Sequence, residues 1–389
     1  MKKFKIKIYL IPVIFILAII ILQFVVNRKY KFSEPHPFTG DSLYNPYKGI
    51  DSTKWEKGNF HAHTRMFFGL TDGSANSGQL LDSFYNYFDY KIIGISNYQN
   101  IDLPEEISEW LIPVYEHGYQ YYKNHQLVIN AKKVCWLDFV FRQTLNNKQS
   151  VIDHLKKDTS VIVTIVHPGP RQAYTYYDFR YLNNYDCLEI ASTRDRFVSF
   201  YDTILSAGHP VFIMANDDSH DLSRIHDGCH SFNMINTDLV KDSILYALKT
   251  GRSVGVNLNT ESYKTDEEKR SGMKNLPVIT GVNVKNDTIT VSLNKAVKSI
   301  SFIGQNGIEK MKVANASLGS YFFNEKDTYI RTEIECDDGT LYFLNPVFRY
   351  DGIHLTDQVY RLDLFKTWLW RVVVISILLL IFFIMRVIK

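Results

Sequence analysis

The chain has 389 residues, a formal net charge of +3 and an aromatic content of 14%. So small a charge, with no basic stripe interleaved with aromatic residues, excludes a protein that binds nucleic acid through electrostatics. The four cysteines show no C-x-x-C or other ligand spacing, so we expect buried small side chains rather than a cysteine-ligated metal. An oxidising compartment would allow some of them to pair.

Two apolar segments flank the chain. Residues 8–26, IYLIPVIFILAIIILQFVV, are long enough to cross a bilayer core of about 30 Å, and no small-residue cleavage site follows them. Residues 367–385 repeat this pattern, with Trp368 and Trp370 suited to the membrane interface. We predict two transmembrane helices, and an apolar helix packed on the domain is the alternative for the second.

Basic residues lie at both ends of the chain. Four of the first seven residues are lysines, and Arg386 and Lys389 follow the second span, so the positive-inside rule predicts cytoplasmic termini at 1–7 and 386–389. The globular part is then extracytoplasmic and tethered to the lipid bilayer. Basic residues at positions 28, 29 and 31 keep the inverted topology open.

Short apolar runs of strand length recur after a polar tether at 27–50. They are KIIGIS (91–96), QLVINA (126–131), SVIVTIVH (160–167), CLEIA (187–191) and PVFIMAND (210–217). Stretches with helical spacing, such as SGQLLDSFYNYF and DSILYALKTG, lie between them. This alternation predicts an α/β domain over 51–259, with a largely parallel sheet that is either open or closed into a barrel.

Histidines and carboxylates follow several of these runs. His61 and His63 are separated by one residue, so at the end of a strand both imidazoles would lie on one face and could chelate a metal. His167 closes the third run, and Asp218 and His220 follow the last. Because the carboxyl ends of strands in α/β barrels meet at one mouth, the pattern predicts one shared site.

The pattern changes beyond this domain. Residues 260–276 are charged and predicted to be a linker, and 277–351 alternate with KND, QNG and DDG turns, which predicts a small β-sandwich. Residues 352–366 are predicted to be a juxtamembrane segment. This part holds no histidine cluster, so we expect it to serve in packing, spacing or binding.

The motifs resemble those of the polymerase and histidinol phosphatase (PHP) family. The family's H-x-H-T and S-D-G resemble HAHT (61–64) and TDG (71–73), its A-H-P resembles VHP (166–168), and its G-S-D-x-H resembles NDDSH (216–220). The order and rough spacing match over residues 55–255. The resemblance implies a distorted (β/α)7 barrel of PHP type with a metal site of several ions.

Two positions depart from the family's pattern. Tyr98 stands where the family has a metal-binding histidine, and Lys132 where it has a bridging glutamate. A cation that loses a bridging carboxylate should bind more weakly. Substitutes near other strand ends, including Glu116, His117, His125, Asp138, His226 and His230, each have an ordinary explanation and are not assigned as ligands.

The candidate site residues have two roles. We assign metal binding to His61, His63, Asp72, His167, Asp218 and His220, and catalysis to Asp72, His167 and Arg171. Arg171, Arg194 and Arg196 are candidates to clamp phosphate oxygens. For Glu189, a supporting role behind the ligands and simple pairing with one of the arginines both stay open.

Two functions fit these assignments. The first is a membrane-anchored hydrolase, most plausibly a phosphoesterase, that binds one or two divalent ions (Zn, Mn or Fe) and activates a metal-bound water. Its substrate would be a phosphorylated small molecule or a cell-envelope component. The second is a degenerate barrel that binds a ligand, glycan or protein partner without turnover, which the departures at Tyr98 and Lys132 motivate.

Overall fold

The structure is a computed structural model. It describes residues 13, 16, 17, 19–71, 73–104, 111–193, 195–224, 226–356 and 360–387, with only the backbone described for 384–387.

The described chain folds as a mixed α/β structure with two main sheets. One sheet contains five strands in the order β5 (Val114–His117), β6 (Gln126–Ile129), β7 (Ile162–Ile165), β8 (Cys187–Ala191) and β9 (Phe212–Ala215). Strands β7, β8 and β9 are parallel, whereas β5, β6 and β7 are antiparallel. The predicted run of parallel strands is therefore confirmed only for the second half of this sheet.

The second sheet contains eleven strands. Its main path runs through β12 (Ile279–Lys285), β13 (Thr288–Gly304), β15 (Tyr329–Glu335), β16 (Leu341–Leu344), β11 (Ser253–Asn257), β10 (Ser231–Asn236), β3 (Trp55–Asn59) and β4 (Ile92–Ile93). Strands β14 (Ile308–Phe322), β17 (Val347–Tyr350) and β2 (Ser42–Tyr44) join it off this path. Only β3 and β4 pair in parallel in this sheet, as far as the described residues go.

Seven labelled α-helices and several short 3-10 turns connect the strands. The helices are α1 (Gly78–Tyr87), α2 (Leu145–Leu155), α3 (Tyr176–Tyr181), α4 (Val198–Ser206), α5 (Lys241–Lys249), α6 (Asp266–Lys274) and α7 (Leu364–Val387). The 3-10 turns are Phe67–Gly69, Pro170–Gln172, Thr260–Ser262 and Gln305–Gly307. Side chains of Ser77, Thr144, Thr175 and Thr265 accept hydrogen bonds from the first turns of α1, α2, α3 and α6, which fixes where those helices begin.

The predicted closed barrel is wrong for the described part of the chain, because the two sheets are not joined by continuous ladders. At one seam, isolated bridges pair Ile93 with Leu111 and Tyr98 with Glu116. At the other seam, the Asn233 side chain accepts from the Ala215 amide (3.0 Å) and donates to its carbonyl (2.7 Å). The side-chain amide of Asn233 thus makes the hydrogen bonds with the Ala215 backbone that a neighbouring strand would make in a closed barrel.

The strands of the predicted β-sandwich continue the main sheet. β16 pairs with β11 antiparallel, so β12 to β17 extend the sheet that carries β3 and the two adjacent histidines. The predicted two-sheet sandwich and the boundaries of the predicted domains stay predictions. The predicted turns at 286–287, 305–307 and 337–339 do connect strands.

The segment predicted as a linker, 260–276, is largely helical. Within α6, the ammonium group of Lys269 is buried, donates to the Gly228 carbonyl at 2.9 Å and lies 5.7 and 5.0 Å from the ring centroids of Phe84 and Phe88. Charge content alone indicated solvent exposure, but the aliphatic stem and the cation–π contacts allow this lysine to be buried.

The two ends of the chain leave the domain side by side. β1 (Tyr30–Phe32) pairs antiparallel with β18 (Tyr360–Leu362), and α7 starts two residues after β18. Residues 19–26 are helical, and the carbonyls of Phe24 and Val25 accept hydrogen bonds from Trp370 and Arg371.

Within the described residues, α7 is the one helix long and apolar enough to cross a membrane, judged by the length and composition of Leu364–Phe383. The predicted second span, 367–385, falls in this helix. The predicted first span, 8–26, is only partly described: residues 8–12, 14, 15 and 18 lie outside the described residues.

Asn345 connects the two sheets and allows a test of this architecture. Its side-chain oxygen accepts from the Ile213 amide at 2.7 Å, and its nitrogen donates to the carbonyls of Gly251 and Ser253 at 2.9 and 3.0 Å. We expect Asn345→Ala to lower the free energy of unfolding by about 2–3 kcal/mol, because buried backbone groups lose their partners. Urea unfolding of the full-length protein measures this change. Asn283→Ala, on the exposed face of β12, should change stability little, and equal effects of the two substitutions would contradict the connecting role.

Candidate metal centre

The segment that carries His61 and His63 runs beside the segment that carries Asp218. The Ser219 carbonyl accepts from the His63 amide at 2.9 Å, and the His61 carbonyl accepts from the Ser219 amide at 3.3 Å. This short parallel pairing places both imidazoles against the Asp218 carboxylate. Asp218 Oδ1 lies 3.1 Å from His61 Nε2 and 3.3 Å from His63 Nε2.

Glu116, in the middle of β5, lies at the centre of the cluster. Its Oε2 is 3.1 Å from His63 Nε2 and 3.5 Å from His61 Nε2. Its Oε1 is 3.0 Å from His167 Nε2 and also hydrogen-bonded to His125 Nδ1. The side chain is fully buried. One carboxylate thus touches four imidazoles.

Two groups of donor atoms are close enough to share an ion. His61, Glu116 and His167 form one group, and His61, His63 and Asp218 form the other, with all ligand atoms of each group within 4.8 Å of one another. Every member is buried. Because His61 belongs to both groups and Glu116 also approaches His63, the two groups form one continuous centre.

The donor atoms fit a metal ion better than they fit one another. Among the described residues, several buried atoms of the cluster have no hydrogen-bond partner: His61 Nε2, His63 Nε2, Glu116 Oε2 and Asp218 Oδ1. They lie 3.1–3.5 Å apart in ion-pair range but lack hydrogen-bond geometry. Buried polar atoms are normally paired, and a cation bound among these four atoms would satisfy them. Mixed imidazole and carboxylate donors suit zinc, manganese and iron.

The electrostatics of the cluster also favour a positive charge at its centre. Burial lowers the pKa of His61, but the carboxylates of Asp218, Glu189 and Glu116 outweigh burial and raise that pKa well above its ordinary value. Burial raises the pKa of Glu116, but the nearby imidazoles of His125 and His61 outweigh it and hold that pKa well below the ordinary value. Without a metal, protons on the histidines would have to supply the charge that the carboxylates require.

Glu189, on β8, orients His61. Its Oε1 lies 2.9 Å from His61 Nδ1, and its Oε2 accepts from the His167 amide at 3.0 Å. A carboxylate on one ring nitrogen fixes the ring and leaves the other nitrogen, here Nε2, for a metal. These contacts favour a role for Glu189 in supporting His61 and His167 over simple pairing with an arginine.

Backbone strain occurs at two residues of the centre. His167 has φ of 27° and Asp218 has φ of 53°, a left-handed region that side chains other than glycine rarely adopt. Asp217, next to Asp218, holds the segment that follows β9 in place, because its carboxylate accepts hydrogen bonds from the amides of Cys229, His230 and Ser231 at 2.8–2.9 Å. The strained loops are therefore held from behind by buried hydrogen bonds.

Two aromatic rings stack against His63. The ring centroids of Tyr98 and His220 each lie 4.6 Å from that of His63. His220 Nδ1 lies 2.7 Å from the Asp218 carbonyl, and burial lowers the pKa of His220. Tyr98 thus packs within the centre.

Of the predicted site residues, five come together: His61, His63, His167, Asp218 and His220. Asp72 lies outside the described residues. Its neighbour Gly73 has φ of 88°, and a Cβ there would lie 2.6 Å from His63 Cβ, so a glycine is required where this loop packs on His63. The roles of the five as ligands stay predictions.

The predicted arginines are in other environments. Arg171 donates to the Tyr121 carbonyl at 2.6 Å, and its guanidinium lies 4.1 Å from the centroid of the Tyr121 ring. Arg196 lines a polar cavity of about 630 Å³ together with His230. Arg194 lies outside the described residues.

Two residues of the centre were missed from the sequence. The resemblance predicts a bridging carboxylate at the position of Lys132, which is exposed three residues after β6, whereas Glu116 on β5 lies between the imidazoles. His125, expected to be an exposed loop residue, is buried against Glu116. The signal was available in IPVYEH (112–117), an apolar run that also ends in a carboxylate and a histidine.

The support that Glu189 gives to His61 can be tested by a conservative substitution. We expect Glu189→Gln to weaken metal affinity by about 10- to 100-fold, because the ring of His61 loses its charged partner. Competition with a metal-sensitive chelator dye measures the affinity. Glu335→Gln, which changes a partly buried carboxylate on β15 that pairs with Lys298 outside the centre, is the matched control. Unchanged affinity in Glu189→Gln would contradict the orienting role.

Comparisons with known proteins do not fix a family. No protein-family model matches the chain, and no curated protein matches it in sequence. A two-domain protein from Bacteroides vulgatus ATCC 8482, described as containing a predicted PHP-like metal-dependent phosphoesterase, is similar with 11% identity and a TM-score of 0.37 over 81% of this chain and 99% of that one. PsfC from Pseudomonas syringae PB-5123 is similar with 10% identity and a TM-score of 0.35 over 57% of this chain and 97% of that one. TM-scores below 0.5 do not establish a shared fold.

Proposed function

We propose that this chain is a membrane-anchored, metal-dependent hydrolase of phosphoesters whose globular part faces the extracytoplasmic side. The observation that carries the proposal is the convergence of buried, unpartnered nitrogen and oxygen donors in two groups that share His61. Burying so many charged groups is costly unless a bound ion compensates them.

Some residues of the centre would bind the ion, and Glu189 would orient one of them. His61, His63 and Asp218 would hold one cation, and Glu116 with His167 would hold a second or complete the first. A divalent cation bound there supplies Lewis-acid activation of water and of a phosphoryl oxygen near neutral pH. Glu189 keeps the Nε2 atom of His61 directed at the centre.

His220 is the proposed proton carrier. Its Nδ1 lies 2.7 Å from the Asp218 carbonyl, and in the tautomer that donates there Nε2 has a free lone pair. Burial lowers the pKa of this ring, so it stays neutral near pH 7 and can accept a proton. Its stacking on His63 keeps it beside the ligands.

The polar cavity beside the centre supports an anionic substrate. It is lined by Ser192, Thr193, Asp195, Arg196, His230, Asn257, Leu258, Asn259 and Gly339. The Thr193 amide donates to the Asp217 carbonyl at 3.2 Å, so the cavity lies next to the strand end that carries Asp218. Arg196 offers the planar set of donors that matches phosphate oxygens.

Membrane anchoring is supported by the way both ends leave the domain. The pairing of β1 with β18 places residues 29 and 363 together, and the Asp363 amide donates to the Lys29 carbonyl at 2.8 Å. Two spans that start from one place would put both termini on the same side of a bilayer. This arrangement agrees with the distribution of basic residues at the two ends.

Removal of the paired histidines tests the proposal. We expect the full-length protein in detergent to contain stoichiometric metal and to hydrolyse p-nitrophenyl phosphate or its diester with added Mn²⁺ or Zn²⁺. His61→Ala combined with His63→Ala should remove both properties, because one donor group loses two of its three members. Elemental analysis and colorimetric turnover are the measurements.

The control for that experiment is His36→Ala combined with His354→Ala, which removes two histidines on the outside of the domain. It should keep its metal and its activity. A folded wild-type protein without metal and without turnover would overturn the proposal. Stoichiometric metal without any turnover would instead favour the non-catalytic binding protein.

Metal binding should also stabilise the fold. At a free metal concentration of 100 times Kd, we expect the free energy of unfolding to rise by about 2.7 kcal/mol, because only the folded chain assembles the site. Thermal unfolding with and without Mn²⁺ or Zn²⁺ after chelation measures this effect. It should disappear in Asp218→Asn but persist in Asp238→Asn, a surface carboxylate. Equal stabilisation of both variants would place the ion elsewhere.

A further inference from the structure

Two loops beside the metal centre contact the N-terminal helical segment. The first, residues 118–124, connects His117 to His125, and the second comprises residues 134–143. Tyr119 of the first loop is hydrogen-bonded to Gln23. In the second loop, the rings of Phe139 and Phe141 lie 5.4 and 6.2 Å from the ring of Phe24.

The contacted helical residues lie beside the start of α7. The Phe24 carbonyl accepts from the Trp370 indole at 2.8 Å, and Trp370 and Arg371 lie near the start of α7. Tryptophan and arginine near the end of an apolar helix are typical of the interface between lipid and water. The ammonium group of Lys29 lies 4.0 Å from the centroid of the Trp370 ring, which places a further cation beside this part of α7.

The loops expose large apolar side chains beside these contacts. Phe141 is 61% exposed, and Trp136, Val140, Tyr119 and Tyr121 are also exposed. A patch of this kind on a water-soluble surface would be costly and is usually covered. Aromatic side chains with a polar group, such as tryptophan and tyrosine, are favoured where one end is apolar and the other is hydrated.

The two loops are held in place by the domain. The Tyr119 amide donates to Asp138 Oδ2 at 3.0 Å, which joins one loop to the other. His117 Nε2 lies 3.0 Å from the Leu137 carbonyl. Gly118 has φ of 121°, and a Cβ there would lie 2.6 Å from His125 Cδ2, so the first loop closes tightly against the metal centre.

We propose that loops 118–124 and 134–143 form a membrane-docking surface, with Phe141 and Trp136 inserted into the headgroup layer of the same bilayer that holds α7. The surface orients the domain so that the side bearing His117 and His125 faces the lipid. This placement rests on the membrane anchoring in the proposed function and does not depend on catalysis.

Spin labels in the full-length protein, reconstituted in phosphatidylcholine nanodiscs, test the docking. Cys135 is the partly exposed cysteine and is removed by Cys135→Ser, whereas Cys187, Cys229 and Cys336 are buried. Labels are then attached through Phe141→Cys, Phe322→Cys or Leu379→Cys. Phe322 on β14 is 62% exposed and matches Phe141 in type and exposure, and Leu379 reports on α7 itself.

Accessibility to oxygen and to a water-soluble nickel chelate gives the depth of each label. We expect the labels at positions 141 and 379 to be reached by oxygen and protected from nickel, and the label at 322 to be reached by nickel. Nickel access at 141 equal to that at 322, with 379 protected, would overturn the docking and leave the anchoring intact. Nickel access at 379 would overturn the anchoring and the docking together. Protection at all three positions would also overturn the docking, because the surface would not be specific.

Discussion

The buried carboxylate of Glu116 determines how the centre of this protein is arranged. A negative charge without access to water requires compensation, and four imidazoles supply the contacts. Those imidazoles come from the end of β3, the loop before β6 and the end of β7. Contacts with this one carboxylate therefore hold three parts of the chain close together. Asp218 adds a second carboxylate beside His61 and His63. A divalent cation bound among these side chains would compensate both negative charges.

The surrounding fold supports this arrangement through polar side chains rather than through a closed barrel. Asn233 and Asn345 connect the two sheets at one seam, and Asp217 fixes the loop behind Asp218. Each of these side chains is buried and fully used, which limits the movement of the ligands. Buried hydrogen bonds hold both strained residues, because Asp217 is fixed next to Asp218 and the amide of His167 donates to Glu189.

The pairing of β1 with β18 joins the two ends of the chain where they leave the domain. It brings the N-terminal helical segment against the start of α7, and Phe24 then meets the loop that carries Phe139 and Phe141. The loop 118–124 runs from His117 to His125, and His117 also contacts the Leu137 carbonyl of the loop 134–143. Two short loops therefore lie between the N-terminal helical segment and the cluster of histidines and carboxylates.

The sequence by itself determined the local features of this protein. Spacing identified the strand ends at His61, His63, His167 and Asp218, because the chemistry of a metal ligand is visible in residue type and position. Apolar length identified α7, and turn residues identified the hairpins after β12 and β13. These features depend on neighbours along the chain, which a pattern can report.

Only the tertiary structure decided which carboxylate completes the centre and whether the sheet closes. Glu116 lies in one short apolar run and Lys132 follows another, and the sequence does not show which of these two positions is close to His61. That depends on which strand faces His61 across the space between the sheets. Closure failed because Asn233 takes the hydrogen bonds of Ala215 that a neighbouring strand would have used. Burial of Lys269 and His125 likewise depends on distant contacts, since charge and polarity alone predict exposure for both.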